Sequence, residues 1–505
     1  MMKKTMLIAA MGGMVVASAA VDPEAALAAE RTTVDFTAKA GKIRRELHSA
    51  GWGGQLTGPQ SRYYLDLKPL NLFAARTHDW ALGNPGQRML DYYHVFPLLH
   101  ADTQDPKNYF FAPSDGILEM TVKDLGMNVM YRMGTSIESV NARRSGFEAH
   151  PPRYYNSVEP SDWLQFAKVH AQIIRHYTEG WANGYRWGDK MRYWELWNEP
   201  NDMPGGSWIV KSGDKDQGKN NDTFNSFFVY VLKHLKAEFP HLKFGGPAVC
   251  FYDKKFLRAL LNCCAKEGYT PDFISWHSYG DNPRRMLSQP AEARKMLDEY
   301  GFAKTELVIN EWHWFHDDWW GLFKEGPAGY SKLLDMKTGV RSIEAAVYAL
   351  QVVMGLQTTC LDQSYYYGCS HQFGGLWGYR NDDGSLGKSY HTLKMFGDVV
   401  GACDEFVAAD GLGDGNPILG FGAWSRDGRQ AYLIATSYCG KLRTFEVVAK
   451  GIEGMEIQKV VAVDAVRGGE EMPLSFVKRS GEVLEFTKPD AESAAAYLVV
   501  FARSE

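Results

Sequence analysis

Between about residues 70 and 400 the chain alternates short apolar runs with amphipathic stretches of helical period. The runs are Leu72–Thr77, His94–Pro97, Asn128–Gly134, Arg192–Asn198, Leu242–Pro247, Phe273–Ser278, Leu307–Asn310 and Leu361–Tyr367. Among the stretches between them, Ser161–Tyr177 sets Phe166, Val169, Ile173 and Tyr177 on one face behind Pro160 and a Ser161 cap. Thr223–Phe239, Lys254–Lys266, Ala291–Tyr300 and Ser342–Leu356 read the same way. Strands covered on both faces are continuously apolar, and parallel neighbours need a crossover long enough for a helix. Eight strand–helix units predict an α/β fold, a closed (β/α)8 TIM barrel rather than an open sheet.

After about Gly401 the pattern changes. Phe421–Ser425 and Gln430–Thr436 alternate around Asp427-Gly428, a hairpin signal, and β-like runs follow at Arg443–Val448, Val460–Val463 and Ala496–Phe501. These predict an accessory antiparallel β-sandwich over 401–505, beside a catalytic barrel over 61–400. Thr32–Ala38 also reads as a strand, so the segment 30–60 is expected to join the β domain. Residues 1–29 read as an export signal: Lys3 and Lys4 precede an apolar stretch rich in small residues, with small-x-small sites at Ala17-Ser18-Ala19 and Ala26-Leu27-Ala28. The expected location is periplasmic or extracellular, with no membrane contact after signal removal. Seven cysteines over 505 residues are too few for a disulfide framework, and their odd number leaves at least one unpaired or linking chains. The net charge of −5 offers no basic field for nucleic acid.

The chemistry concentrates at two strand ends. Trp194-Glu195-Leu196-Trp197-Asn198-Glu199-Pro200-Asn201 closes the fourth run, and Pro200 cannot continue a ladder. Leu307-Val308-Ile309-Asn310-Glu311-Trp312 closes the seventh. Barrel enzymes place their catalysts at this C-terminal rim, so Glu199 and Glu311 are expected to face each other across the mouth. Two facing carboxylates suit glycosidic hydrolysis, one protonating the leaving oxygen and the other attacking the anomeric carbon. Either Glu alone is as well explained as a solvated or Arg-paired strand end; the pair favours catalysis.

Asn198-Glu199-Pro200, with a Glu ending strand seven, resembles the clan A glycoside hydrolases, and within them family 39, the β-xylosidase and α-L-iduronidase family. Arg76-Thr77-His78 is similar to the family's Arg-x-His at the end of strand one. Trp276-His277-Ser278-Tyr279 resembles its His-x-Tyr at strand six, and Gly374-Gly375-Leu376-Trp377 with Ser389-Tyr390-His391 its run from strand eight into the last helix. The resemblance implies a retaining glycosidase acting on oligosaccharide or polysaccharide, with Glu199 as acid/base and Glu311 as nucleophile. It implies that Asn198 bonds the sugar's 2-hydroxyl and Tyr279 the nucleophile, and places Arg76, His78, His277 and Trp377 around the substrate; Trp312, which opens the aromatic run after Glu311, is expected to stack there as well.

Two positions depart from the family pattern. Asn310 stands where its xylosidases usually carry Thr, and Arg132-Met133-Gly134 where their third strand usually ends Glu-Leu-Gly. Arg132 suits either a substrate carboxylate or a structural ion pair. The run Trp312-His313-Trp314-Phe315-His316-Asp317-Asp318-Trp319-Trp320 suits sugar stacking or loop packing. His313 and His316 lack zinc-site spacing, so no metal and no cofactor are expected. The leading reading is exo-acting on β-linked pentose or a related sugar. An endo-acting hydrolase is the first alternative, and a carbohydrate-binding protein on a degenerate barrel the second.

Overall fold

The computed structural model describes residues 30–51, 59–78, 92–98, 100–134, 159–201, 208, 217–316, 318–368, 370–373, 376, 378–412 and 416–503. After an N-terminal strand β1 (Arg31–Lys42), the barrel is built from β2 (Ser49–Gly51), β3 (Ala74–Arg76), β4 (Asn128–Met133), β5 (Tyr193–Leu196), β6 (Lys243–Val249), β7 (Phe273–Gly280), β8 (Glu306–Trp314) and β9 (Gln363–Tyr367). It closes where β2 pairs in parallel with β9, Ser49 opposite Tyr365. Helices such as Trp163–Thr178, Lys254–Lys266 and Ile343–Leu356 cover the outside, and a small parallel pair, β10 (Ser370–Phe373) with β11 (Gly378–Arg380), follows β9.

The strand expected at His94–Pro97 is instead a short helix, Tyr92–Val95, burying Tyr92, Val95 and Phe96. The barrel's first strand is Ser49–Gly51, which has no apolar run to betray it. At Gly51 a Cβ would come within 2.8 Å of the Tyr367 ring, so this position has no room for a side chain. The Arg76 run therefore ends the second barrel strand, not the first. The fourth and seventh strands fall where the sequence placed them.

Strand alternation builds the barrel interior in layers. Ala74, Met130, Phe273, Val308 and Tyr365 pack as an apolar floor, with Tyr193 against it. Two residues further along, the same faces carry Arg76, Glu195, Ser275 and Asn310, so the interior turns polar toward the C-terminal rim. β8 then breaks step. His277 of β7 pairs with Glu311 directly after Trp276 pairs with Ile309, so β8 holds one extra residue. This bulge turns Glu311 to the mouth and Trp312 to the outside.

The second domain is a single ten-stranded sheet of β1 with β12 (Cys403–Ala409), β13 (Ile418–Ser425), β14 (Gln430–Ser437), β15 (Thr444–Lys450), β16 (Met455–Val463), β17 (Gly468–Met472), β18 (Lys478–Ser480), β19 (Val483–Thr487) and β20 (Ala495–Arg503). Pairings are antiparallel except β1 with β15, which is parallel. β1 lies between β12 and β15, so the domain draws on both ends of the described chain. Phe486 on β19 stacks on Tyr497 of β20 at 5.3 Å, although five strands separate β19 from β20 in the sheet order. Strands lie about 4.8 Å apart, so a flat sheet would hold these rings nearly 30 Å apart. The sheet is rolled onto itself, which gives the two packed layers of a sandwich.

The domains meet at the C-terminal end of the barrel strands. The Trp314 indole N–H donates to the Tyr438 hydroxyl at 3.0 Å, and that hydroxyl donates to the Asp281 carbonyl at 2.5 Å. One tyrosine of the β domain thus ties together the ends of β7 and β8.

Three fully buried histidines tie stability to pH. His48 bonds the Leu70 carbonyl, His170 that of Phe166 and His313 that of Trp314. Burial lowers each to about 4. In the unfolded chain they take up protons near pH 6.5. Their contribution is therefore complete above about pH 6.5 and is lost as pH falls toward 4, on the order of 3 kcal/mol each. The melting temperature is expected to be flat above neutrality and to fall steeply between pH 6.5 and 4. His48→Gln should reduce the slope, and equal melting temperatures at pH 7 and 4.5 would contradict the assignment.

Candidate active site

Arg76, the last residue of β3, organises the mouth. Its guanidinium has no exposed surface and uses three nitrogens: Nε to Glu195 Oε2 at 2.5 Å, Nη1 to Glu311 Oε1 at 2.6 Å and Nη2 to Asn198 Oδ1 at 2.8 Å. Burial opposes its charge, and the Glu195 and Glu311 carboxylates outweigh that effect and raise its pKa further.

Asn198 and Glu199 follow β5 in a turn of unusual backbone. Trp197 has φ 75° and Glu199 φ 49°, left-handed values that cost a side-chain-bearing residue energy. The turn is held at both ends. Trp197 is buried against Trp208 and Phe227, and the Glu199 N–H donates to the Ala248 carbonyl at 2.8 Å. The result aims the Glu199 carboxylate at His277 of β7, whose Nδ1 lies 3.0 Å from Glu199 Oε1 and 3.4 Å from Glu311 Oε2.

Glu311 is enclosed on all sides. Tyr279 donates its hydroxyl to Oε2 at 2.8 Å, and His78 Nε2 stands 3.4 Å from Oε1. Burial alone would raise its pKa. The opposing effects of His277, the bond from His78 and the Arg76 charge together hold it well below the ordinary carboxylate range. Burial first, then the neighbouring Glu311 charge, push the Tyr279 hydroxyl far upward, so it stays protonated and donates. The Glu311 side chain is 5% exposed and that of Glu199 17%, so the second carboxylate is the more open to an arriving group.

One oxygen from each carboxylate and one nitrogen of His277 lie within 4.8 Å of one another, close enough to share a cation. Arg76 already stands 2.6 Å from Glu311 and supplies that positive charge. A divalent ion would be pressed against a buried guanidinium, so the donor set fits proton transfer and nucleophilic attack better.

The structure thus gathers Glu199, Glu311, Asn198, His277, Tyr279, Arg76 and His78 into one group. Trp312 is a correction: it is fully buried, edge-on to Tyr348 of the helix Ile343–Leu356 and to Tyr366, with no surface left to meet a sugar. Strict alternation from Val308 turns residue 312 inward, and the β8 bulge reverses it. Trp377 lies outside the described residues. Further along, Phe315 and Trp319 pack behind Tyr279 at 5.6 and 6.1 Å, and His313 bonds Tyr366 at 2.8 Å. Glu195 and Ser275 were not singled out from sequence. Their signal was positional: each sits two residues beyond a floor position on an inward face.

A family model described as "Glycosyl hydrolases family 39" matches residues 100–309. The β-xylosidase of Geobacillus stearothermophilus is 25% identical over 179 residues, 31% of this chain. That match spans only 32% of the relative's own length. Among solved structures, a glucosidase from Croceicoccus marinus superposes with TM-score 0.69 at 19% identity, covering 94% of this chain and 99% of that one. A monomeric β-xylosidase from Caulobacter crescentus superposes with TM-score 0.65 at 16% identity, covering 94% and 100%. At these identities the superpositions establish the barrel and its companion sheet. The matched stretch runs from before β4 into β8 and includes Asn198, Glu199, His277 and Tyr279, and over that stretch the chain is similar to the glycosyl hydrolases of family 39.

Proposed function

We propose that the protein is a retaining, exo-acting glycosidase on β-linked xylose or a closely related sugar, with Glu311 as nucleophile and Glu199 as acid/base. The observation that carries the reading is the spacing of the two carboxylates, whose nearest oxygens lie within 4.8 Å. Double displacement needs about 5–5.5 Å between the carboxyl groups, whereas inversion needs about 6.5–9.5 Å to admit a water. Glu311, held ionised, attacks the anomeric carbon while Glu199 gives its proton to the departing oxygen. The glycosyl ester then yields to water, whose proton returns to Glu199. Asn198, fixed by Arg76, offers its amide to the sugar 2-hydroxyl, a bond that strengthens in the transition state.

The xylose reading is supported by the likeness to the β-xylosidases of Geobacillus stearothermophilus and Caulobacter crescentus. The N-terminal pattern supports export, which N-terminal sequencing of the mature protein would test.

A panel of aryl glycosides of xylose, arabinose, galactose, glucose, glucuronate and iduronate, read by proton NMR for the first-formed anomer, tests the proposal. Turnover of the β-xyloside with retained configuration is expected. An inverted first product would remove the double displacement. Activity confined to long chains would establish the endo-acting reading instead.

A further inference from the structure

Glu195 lies one layer below the catalytic mouth and touches neither the space between the carboxylates nor solvent. A carboxylate with no exposed surface inside a barrel is costly unless its oxygens are matched. Here they are. Oε2 accepts from Arg76 Nε at 2.5 Å, while Oε1 accepts the Ser275 hydroxyl at 2.6 Å and the Asn310 amide at 2.7 Å. The donors come from three different strands, β3, β7 and β8, and Glu195 itself from a fourth, β5.

Arg76 has a planar guanidinium with a fixed fork of N–H groups. Fixing Nε by Glu195 sets the plane of the whole fork. With that plane set, Nη1 reaches Glu311 and Nη2 reaches Asn198. Without the Nε contact, the guanidinium keeps its bonds to Glu311 and Asn198 but loses the one that anchors it to the layer below, so the fork can shift together with both partners. The Asn310 amide, at the position where related xylosidases usually carry Thr, adds one of the bonds that hold the Glu195 carboxylate still.

We infer that Glu195 is a positioning residue: through Arg76 it sets the attack geometry of Glu311. This rests on Glu311 being the nucleophile. Misplacement of a reacting group by about 1 Å costs on the order of 100-fold in rate, with little effect on ground-state binding. Glu195→Gln keeps the shape and removes the charge that grips Nε. It is expected to lower kcat, normalised to titrated active sites, by about 10- to 100-fold while KM stays within about 3-fold. Asn310→Ala should give a smaller loss, about 3- to 10-fold, with the same split, and it covers the case in which Glu195→Gln fails to fold.

The discriminating arm uses Glu311→Ala with azide, which attacks the anomeric carbon in place of the missing carboxylate. If Glu195 acts through Glu311, adding Glu195→Gln or Asn310→Ala to this rescued enzyme should cost much less than in the wild type. An equal fold-loss in both backgrounds, or a loss of titratable sites with unchanged kcat per site, would overturn the inference and leave Glu195 a purely structural ion pair. Failure of the nucleophile assignment looks different: Glu311→Ala would then turn over substrate as the wild type does.

Discussion

Glu311→Ala is expected to lower kcat/KM on every aryl glycoside the enzyme accepts by about 10⁴-fold or more, whatever the leaving group. The size follows from what the proposed double displacement asks of the side chain in both halves of the reaction. Removing it deletes the atom that bonds to the anomeric carbon, so no glycosyl ester forms and the two-step path is closed. Among the described residues Glu199 is the other carboxylate at the mouth, and the proposed mechanism assigns it to the leaving group. The loss should be in kcat, because Arg76, Asn198, His78 and Tyr279 still shape the sugar site. Azide or formate should restore part of the rate, and azide should give a glycosyl azide of inverted configuration. Wild-type turnover by the variant would move the nucleophile elsewhere.

The second large effect is selective. Glu199→Gln should slow glycosides with poor leaving groups by about 10²- to 10⁴-fold, while dinitrophenyl glycosides lose far less in the first step. The proton from Glu199 matters in proportion to how badly the departing oxygen needs it. Good leaving groups depart unaided, so the steady state for them shifts to slow release of the glycosyl ester. Added azide should accelerate that release and give an azide of retained configuration, since azide needs no general base. Glutamine also keeps a group of the same shape beside His277, 3.0 Å from Glu199 Oε1 in the native site, so the contrast is one of chemistry and not of packing. Equal losses across leaving groups would take Glu199 out of the acid role.

The chain's own pattern determined the repeating strand–helix units, the change to β structure near residue 401, and two carboxylates at the ends of strands four and seven. Each rests on local periodicity or on a short run of neighbours, which a linear sequence records directly. Where the signal is not local, it failed. Ser49–Gly51 is a strand only through its pairing with β3 and β9, and Tyr92–Val95 is a helix although its apolar residues resemble a strand. The bulge in β8 turns Trp312 away from the mouth and Glu311 into it, and no single-strand alternation foretells a register shift set by the neighbouring strand. Tertiary structure alone decided the inner network. Arg76, Glu195, Ser275, Asn198 and Glu311 come from four barrel strands or the turns that end them, and meet only when the barrel closes. Which residues share an inward layer is legible from period-2 spacing. Which of them touch depends on strand stagger and barrel closure, properties of all eight strands together.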